Sequence, residues 1–124
     1  MSTAPTAAQR DVIETSLPRY RHLLEEQWRE QIGLITELSL ETLTPRLGDA
    51  SVRATAPEHL WVANRLLADV RRQLQDTEAA LARIDTGRYG ACERCGARID
   101  ANRLAALPAA RYCLGCQRLQ DNRR

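Results

Sequence analysis

Residues 56–86, APEHLWVANRLLADVRRQLQDTEAALARIDT, decide the fold. Leu60, Leu67, Leu74 and Leu81 recur every seven residues, and Ala63, Val70, Thr77 and Ile84 stand three positions further on. Those two sets are the a and d seams of a heptad repeat, which makes this stretch one side of a coiled coil. Thr55 and Glu58 have capping-box spacing, and Pro57 falls in the first turn, where a missing N–H is no loss. Gly87 is well placed to end the helix, so a helix over 56–86 is predicted.

Moving towards the N-terminus, residues 17–43 carry a second helical stripe of Leu24, Trp28, Ile32, Ile35 and Leu38, with Glu25, Glu26, Arg29, Glu30 and Glu37 on the other faces. Gln31 and Gly33 weaken it, and Thr44-Pro45 ends it. Residues 44–55 then form a tip loop with a turn at Gly48-Asp49. Neither stripe can be buried alone, so the helices are expected to pair as an antiparallel hairpin, a rod of roughly 40–45 Å at about 1.5 Å per residue. Trp28 lies on the stripe and reads as core. Trp61 lies off the seam and reads as exposed, packed on the loop or anchoring a partner. Residues 1–16 open with small polar side chains and read as a flexible tail.

Composition agrees with a thin architecture. Of 124 residues, 44% are apolar but only 4% aromatic, with no Phe, which argues against a thick core. Charged residues make up 27% at a net charge of +2, which excludes a disordered polyelectrolyte and a strongly basic nucleic-acid coat. All 18 cations are Arg, planar forks suited to carboxylate and phosphate. No run approaches the ~18–20 apolar residues of a membrane span, and no cationic-then-apolar leader is present, so no membrane partner is expected. A reducing cytoplasm is the expected location.

Charge divides unevenly along the chain. Residues 1–84 hold 10 Arg against 12 acids, while 85–124 hold 8 Arg against 4 acids and every cysteine. Residues 88–124 therefore read as a second domain. Within it, Cys92-Glu-Arg-Cys95 and Cys113-Leu-Gly-Cys116 are two C-x2-C pairs separated by 17 residues. Two such turns each present two thiolates to one tetrahedral metal, so Cys92, Cys95, Cys113 and Cys116 are the predicted ligands of a single zinc ion. Ligand count alone leaves iron open. Disulfides do not suit the compartment, and a redox C-x-x-C needs one pair beside a βαβ pattern that is missing here.

Four thiolates leave no open coordination position, so the ion is read as structural. His22 and His59 lie in the hairpin and read as helix-surface residues; no phosphate loop or nucleophile–base signature is present, and no enzymatic activity is expected. Arg88, Arg94, Arg98, Arg103 and Arg111 offset the charge of the thiolates or, alternatively, present a surface to an acidic partner or phosphate. Asp100 stands where it would cap a short helix ending before Pro108, and Tyr89 and Tyr112 are placed to pack around the site.

The segment Gly87-Arg-Tyr89-Gly90-x-Cys92-x-x-Cys95-Gly96-x-x-Ile99, followed by Arg103-Leu104-x-x-x-Pro108-x-Ala110-x-x-Cys113-x-x-Cys116-Gln117, resembles the bacterial DksA/TraR family of C4 zinc-finger proteins. The resemblance implies a zinc-bearing base and a helical finger that enters the secondary channel of RNA polymerase. RNA polymerase is therefore the implied partner, and no sequence-specific DNA contact is expected. Strongly regulating tips in that family carry two acids three residues apart and an Ala two beyond the second. Here Asp49 and Ala54 match, but Val52 replaces the second acid, and Arg53 adds positive charge. Asp49, Arg53 and Ala54 are the implied partner-binding residues. Members that respond to ppGpp at the polymerase interface carry basic residues where this chain has Leu107 and Gln117, which implies a weak response or none.

Two other classes compete. Direct DNA binding shares this cysteine spacing with GATA-type fingers, but their Thr-Pro-Leu-Trp and Asn-Ala-Cys surroundings are missing and the arginines are dispersed. A zinc-stapled scaffold or thiol sensor would release its metal on oxidation. Self-association through the hairpin stays open.

Overall fold

A computed structural model describes the backbone of residues 7–43 and 57–122 and the side chains of 15–40 and 60–122. It contains α1 (Ala7–Leu43), α2 (Pro57–Asp85), α3 (Ala101–Ala106) and α4 (Leu114–Asn122). The β-structure among the described residues is one isolated antiparallel bridge, Ala91 to Arg98. The protein is mainly α, an antiparallel two-helix coiled-coil hairpin followed by a small four-cysteine finger. Asp49, Arg53, Ala54 and Thr55 lie outside the described residues.

Helix α2 matches its predicted span to within one residue at each end. Its seam is real: Leu67, Val70 and Thr77 are buried, and Leu60, Ala63, Leu74, Leu81 and Ile84 are half-buried. Gly87 ends it with φ +74, and the bonds Arg88 N–H to Arg83 O (2.8 Å) and Gly87 N–H to Ile84 O (3.2 Å) close a Schellman motif.

Helix α1 departs from expectation by starting at Ala7 instead of 17, so residues 7–16 are helical and not a tail, and Pro18 sits inside the helix. Pro18 has no N–H for a bond one turn back. The helix continues because Leu17 and Tyr20, on either side of it, pack into a core, and tertiary burial outweighs one missing backbone bond.

The chain divides into two compact units, one made of residues up to Glu26 together with Asp76 onward, the other of Gln27–Gln75. In the first, Tyr20 and Leu24 of α1 and Ala80 of α2 join Tyr89, Cys92, Ile99, Leu104 and Cys116 in one buried cluster. Leu24, Ile99 and Leu104 are at most 1% exposed, and burial of such side chains contributes about 1.5–3 kcal/mol each. In the second unit, Leu67 and Val70 reach burial, while Trp28 and Ile32 remain 37% exposed. The reading of Trp28 as core is thus corrected: two helices alone leave a wide side chain uncovered. Trp61, at 65% exposed, stands out as expected, with the Arg65 guanidinium 5.9 Å from its ring centre. Among the described residues, no helix is long and apolar enough to cross a membrane.

Candidate metal centre

The four cysteines are set by two short pieces of backbone. The first is a tight hairpin in which Ile99 N–H donates to Gly90 O, Cys92 N–H to Ala97 O and Gly96 N–H to Cys92 O, all at 2.8–2.9 Å. Gly90 (φ 91) and Gly96 (φ 76) take left-handed conformations that residues with a Cβ avoid. The second runs from α3 through a turn at Leu107–Ala110 to α4, which begins just after Cys113 and holds Cys116 in its first turn. Asp100 precedes α3 as predicted, but its side chain makes no capping bond; the carbonyl instead accepts from Leu104 N–H. Glu93 N–H donates to Arg111 O at 2.8 Å and ties the two pieces together.

All four Sγ atoms lie within 4.8 Å of one another. Cys95 and Cys113 are 3.8 Å apart, nearly twice a disulfide length and close to the ~3.8 Å edge of a tetrahedron with metal–sulfur bonds of about 2.3 Å. Ala97 N–H points at Cys95 Sγ from 3.4 Å, the amide-to-sulfur contact that stabilises a thiolate. The donor set therefore fits a tetrahedral thiophilic ion. Cys92 and Cys116 are buried, Cys113 is half-buried and Cys95 is exposed.

Electrostatics in the cluster favour a cation. Burial opposes ionisation of Cys92, but donors at Cys95, Cys113 and Arg94 outweigh it and bring the thiol down to about 6. Burial, then hydrogen bonds with the sulfurs of Cys113, Cys92 and Cys95, and last the charge on Cys92, push Cys116 up to about 12. A divalent ion is what lets all four ionise together.

The aromatic lining follows prediction for Tyr89, which is buried, donates its hydroxyl to Pro108 O at 2.7 Å and packs on Tyr20 at 5.4 Å between ring centres. Burial, and then Tyr20, hold its phenol above the ordinary tyrosine range, with Arg83 opposing in part.

The arginines do more than offset charge. Arg98 donates to Tyr89 O and Arg103 to Tyr112 O, each at 3.2 Å. Arg111 pairs with Asp76 of α2 at 3.0 Å. Sequence reasoning missed Arg83 and Asp76. Arg83 donates Nη1 to Glu93 Oε1 at 2.7 Å and Nη2 to Ala110 O at 3.1 Å, and is only 9% exposed. Nothing in the heptad distinguishes it from the exposed Arg71 and Arg72, because the finger that covers it is distant in sequence.

A two-helix hairpin bearing four convergent thiols belongs to the class of C4-type finger proteins. Residues 87–121 match the Prokaryotic dksA/traR C4-type zinc finger. The chain is 30% identical over 113 residues to the RNA polymerase-binding transcription factor DksA of Haemophilus influenzae, covering 89% of this chain and 77% of that one. It is 49% identical over 98 residues to an uncharacterized protein of Aquifex aeolicus, covering 77% of this chain and 61% of that one. Among solved structures, transcription factor DksA2 from Pseudomonas aeruginosa superposes with a TM-score of 0.76 at 29% identity, covering 96% of this chain and 92% of that one. The chain belongs to the DksA/TraR family.

Proposed function

We propose that this protein is a non-catalytic bacterial transcription regulator that binds RNA polymerase through its secondary channel, acting in the cytoplasm. The observation that carries the reading is the likeness to the RNA polymerase-binding factor of H. influenzae, which extends over 89% of the chain and so includes the hairpin as well as the finger. Cys92, Cys95, Cys113 and Cys116 hold one structural zinc ion. Zinc supplies a fourfold crosslink between the two cysteine turns and no reaction chemistry. The chain's own residues form the rest of the base, with Tyr89, Ile99 and Leu104 in one buried cluster with Cys92 and Cys116.

Asp49, Arg53 and Ala54 are the proposed partner-contacting residues of the segment between α1 and α2. With Val52 at the place of a second acid, that segment is not acidic, and its effect on the polymerase differs from that of a doubly acidic relative. Leu107 is exposed, and neither it nor Gln117 bears a charge to pair with a phosphate, which supports a weak or absent ppGpp response. Arg98, Arg103 and Arg111 are engaged within the protein, which favours a protein partner over duplex DNA. Binding of the zinc-loaded chain to core RNA polymerase, competed by another secondary-channel factor, is the test. Absence of binding at micromolar concentrations, or binding that such a factor leaves untouched, refutes it.

A further inference from the structure

Each cysteine pair has, within it or three residues before it, a residue bound to α2. Glu93 follows Cys92 and receives Arg83 Nη1 at 2.7 Å, while Ala110, three residues before Cys113, receives Arg83 Nη2 at 3.1 Å. Arg111 meets Asp76 at 3.0 Å and Glu93 at 4.0 Å. Asp76 and Arg83 are seven residues apart, two turns of one helix and hence on one face. A single guanidinium therefore spans the two ligand-bearing segments, and a second, from the finger itself, ties them to the same helix. The Glu93 N–H to Arg111 O bond closes the frame.

We infer that Arg83 is a positioning residue for the metal centre: by bridging Glu93 and Ala110, it holds the two cysteine pairs at metal-binding separation and so sets how tightly the metal is kept. The inference rests on the metal reading above and deepens it. The thiols are of like charge once ionised, so a frame that fixes the spacing of their backbones removes part of what the ion must otherwise overcome. Outer groups of this kind change metal affinity by about 10–100-fold in other sites. Arginine suits the task because its planar fork donates to the two acceptors from two separate nitrogens, whereas a lysine ammonium donates from one.

The test uses the full chain and zinc, with affinity measured by competition against a chromogenic chelator. Arg83→Met is expected to weaken binding about tenfold or more, and Glu93→Gln to weaken it less, because the Ala110 bond survives. The double variant should fall well short of the product of the two single losses, since Glu93 acts mainly through the same guanidinium at 2.7 Å and only at 4.0 Å through Arg111. Arg83→Lys should recover only part of the loss. Cobalt-loaded Arg83→Met should keep the absorption of a tetrahedral four-thiolate site, because the ligands themselves are intact. Glu93→Gln preserves size and keeps the test readable if Arg83→Met does not fold. Wild-type affinity in both single variants, or losses that multiply in the double variant, overturn the inference. Failure of the unaltered chain to bind zinc overturns the metal reading with it.

Discussion

The unit that carries the finger and the unit formed by Gln27–Gln75 are built from the same two helices but have opposite interiors. Where the finger adds a third layer, Leu24, Ala80 and Leu104 are wholly buried. Where α1 and α2 have only each other, Leu67 and Val70 are the two buried side chains among those described, and Trp28, Ile32, Leu34, Leu40, Trp61, Val62 and Leu66 stay exposed by a third or more. Two cylinders touch along a line, and a heptad seam covers that line alone. A third element is what converts amphipathic helices into a packed core.

Metal removal should separate the two regions most sharply. Structural zinc contributes on the order of 10 kcal/mol in small fingers, so chelation, or Cys92→Ser, should unfold the finger unit and leave much of the helix in Gln27–Gln75. The chain supplies its own probes: both Trp lie in Gln27–Gln75, while Tyr20, Tyr89 and Tyr112 all lie in the other unit. Chelator titration should therefore alter tyrosine signals well before tryptophan emission, and simultaneous loss of both would break the comparison.

Side-chain truncation comes next in size. Leu104→Ala removes a wholly buried side chain and should cost about 2–5 kcal/mol in denaturant unfolding. Leu66→Ala, 47% exposed, should stay within about 0.5 kcal/mol, and equal losses would erase the distinction. Gly87→Ala should cost about 1–2 kcal/mol: the added Cβ meets nothing within 4 Å, so the effect is that of φ +74 alone. Smallest of all is Arg21→Ala. Its ion pair with Asp85 is open to water at both ends (41% and 62% exposed), and screening should leave the melting midpoint unchanged.

What could be read from the sequence was local. The seam from Leu60 to Ile84, the Gly87 stop and the four cysteines each depend on spacing along one segment, and each is found in the fold. What escaped was long-range. The start of α1 at Ala7 depends on Leu17 and Tyr20 finding a core made largely of later residues. Trp28 looked buried because periodicity gives a direction and not the thickness of what lies there. Arg83, Asp76 and Glu93 form a network only when the finger folds back onto α2, and no spacing rule predicts that contact.

The ion pair between Arg21 and Asp85 joins positions 64 residues apart, and Tyr20 meets Tyr89 across a similar span. Contacts of such separation are slow to form. During synthesis, the surface of Tyr20 and Leu24 emerges from the ribosome long before the residues that shield it, and its native cover is incomplete until Tyr89, Ile99, Leu104 and Cys116 follow. Maturation is thus timed by translation of the last third, and a nascent chain stalled before that point would present an apolar helix to chaperones or to its neighbours.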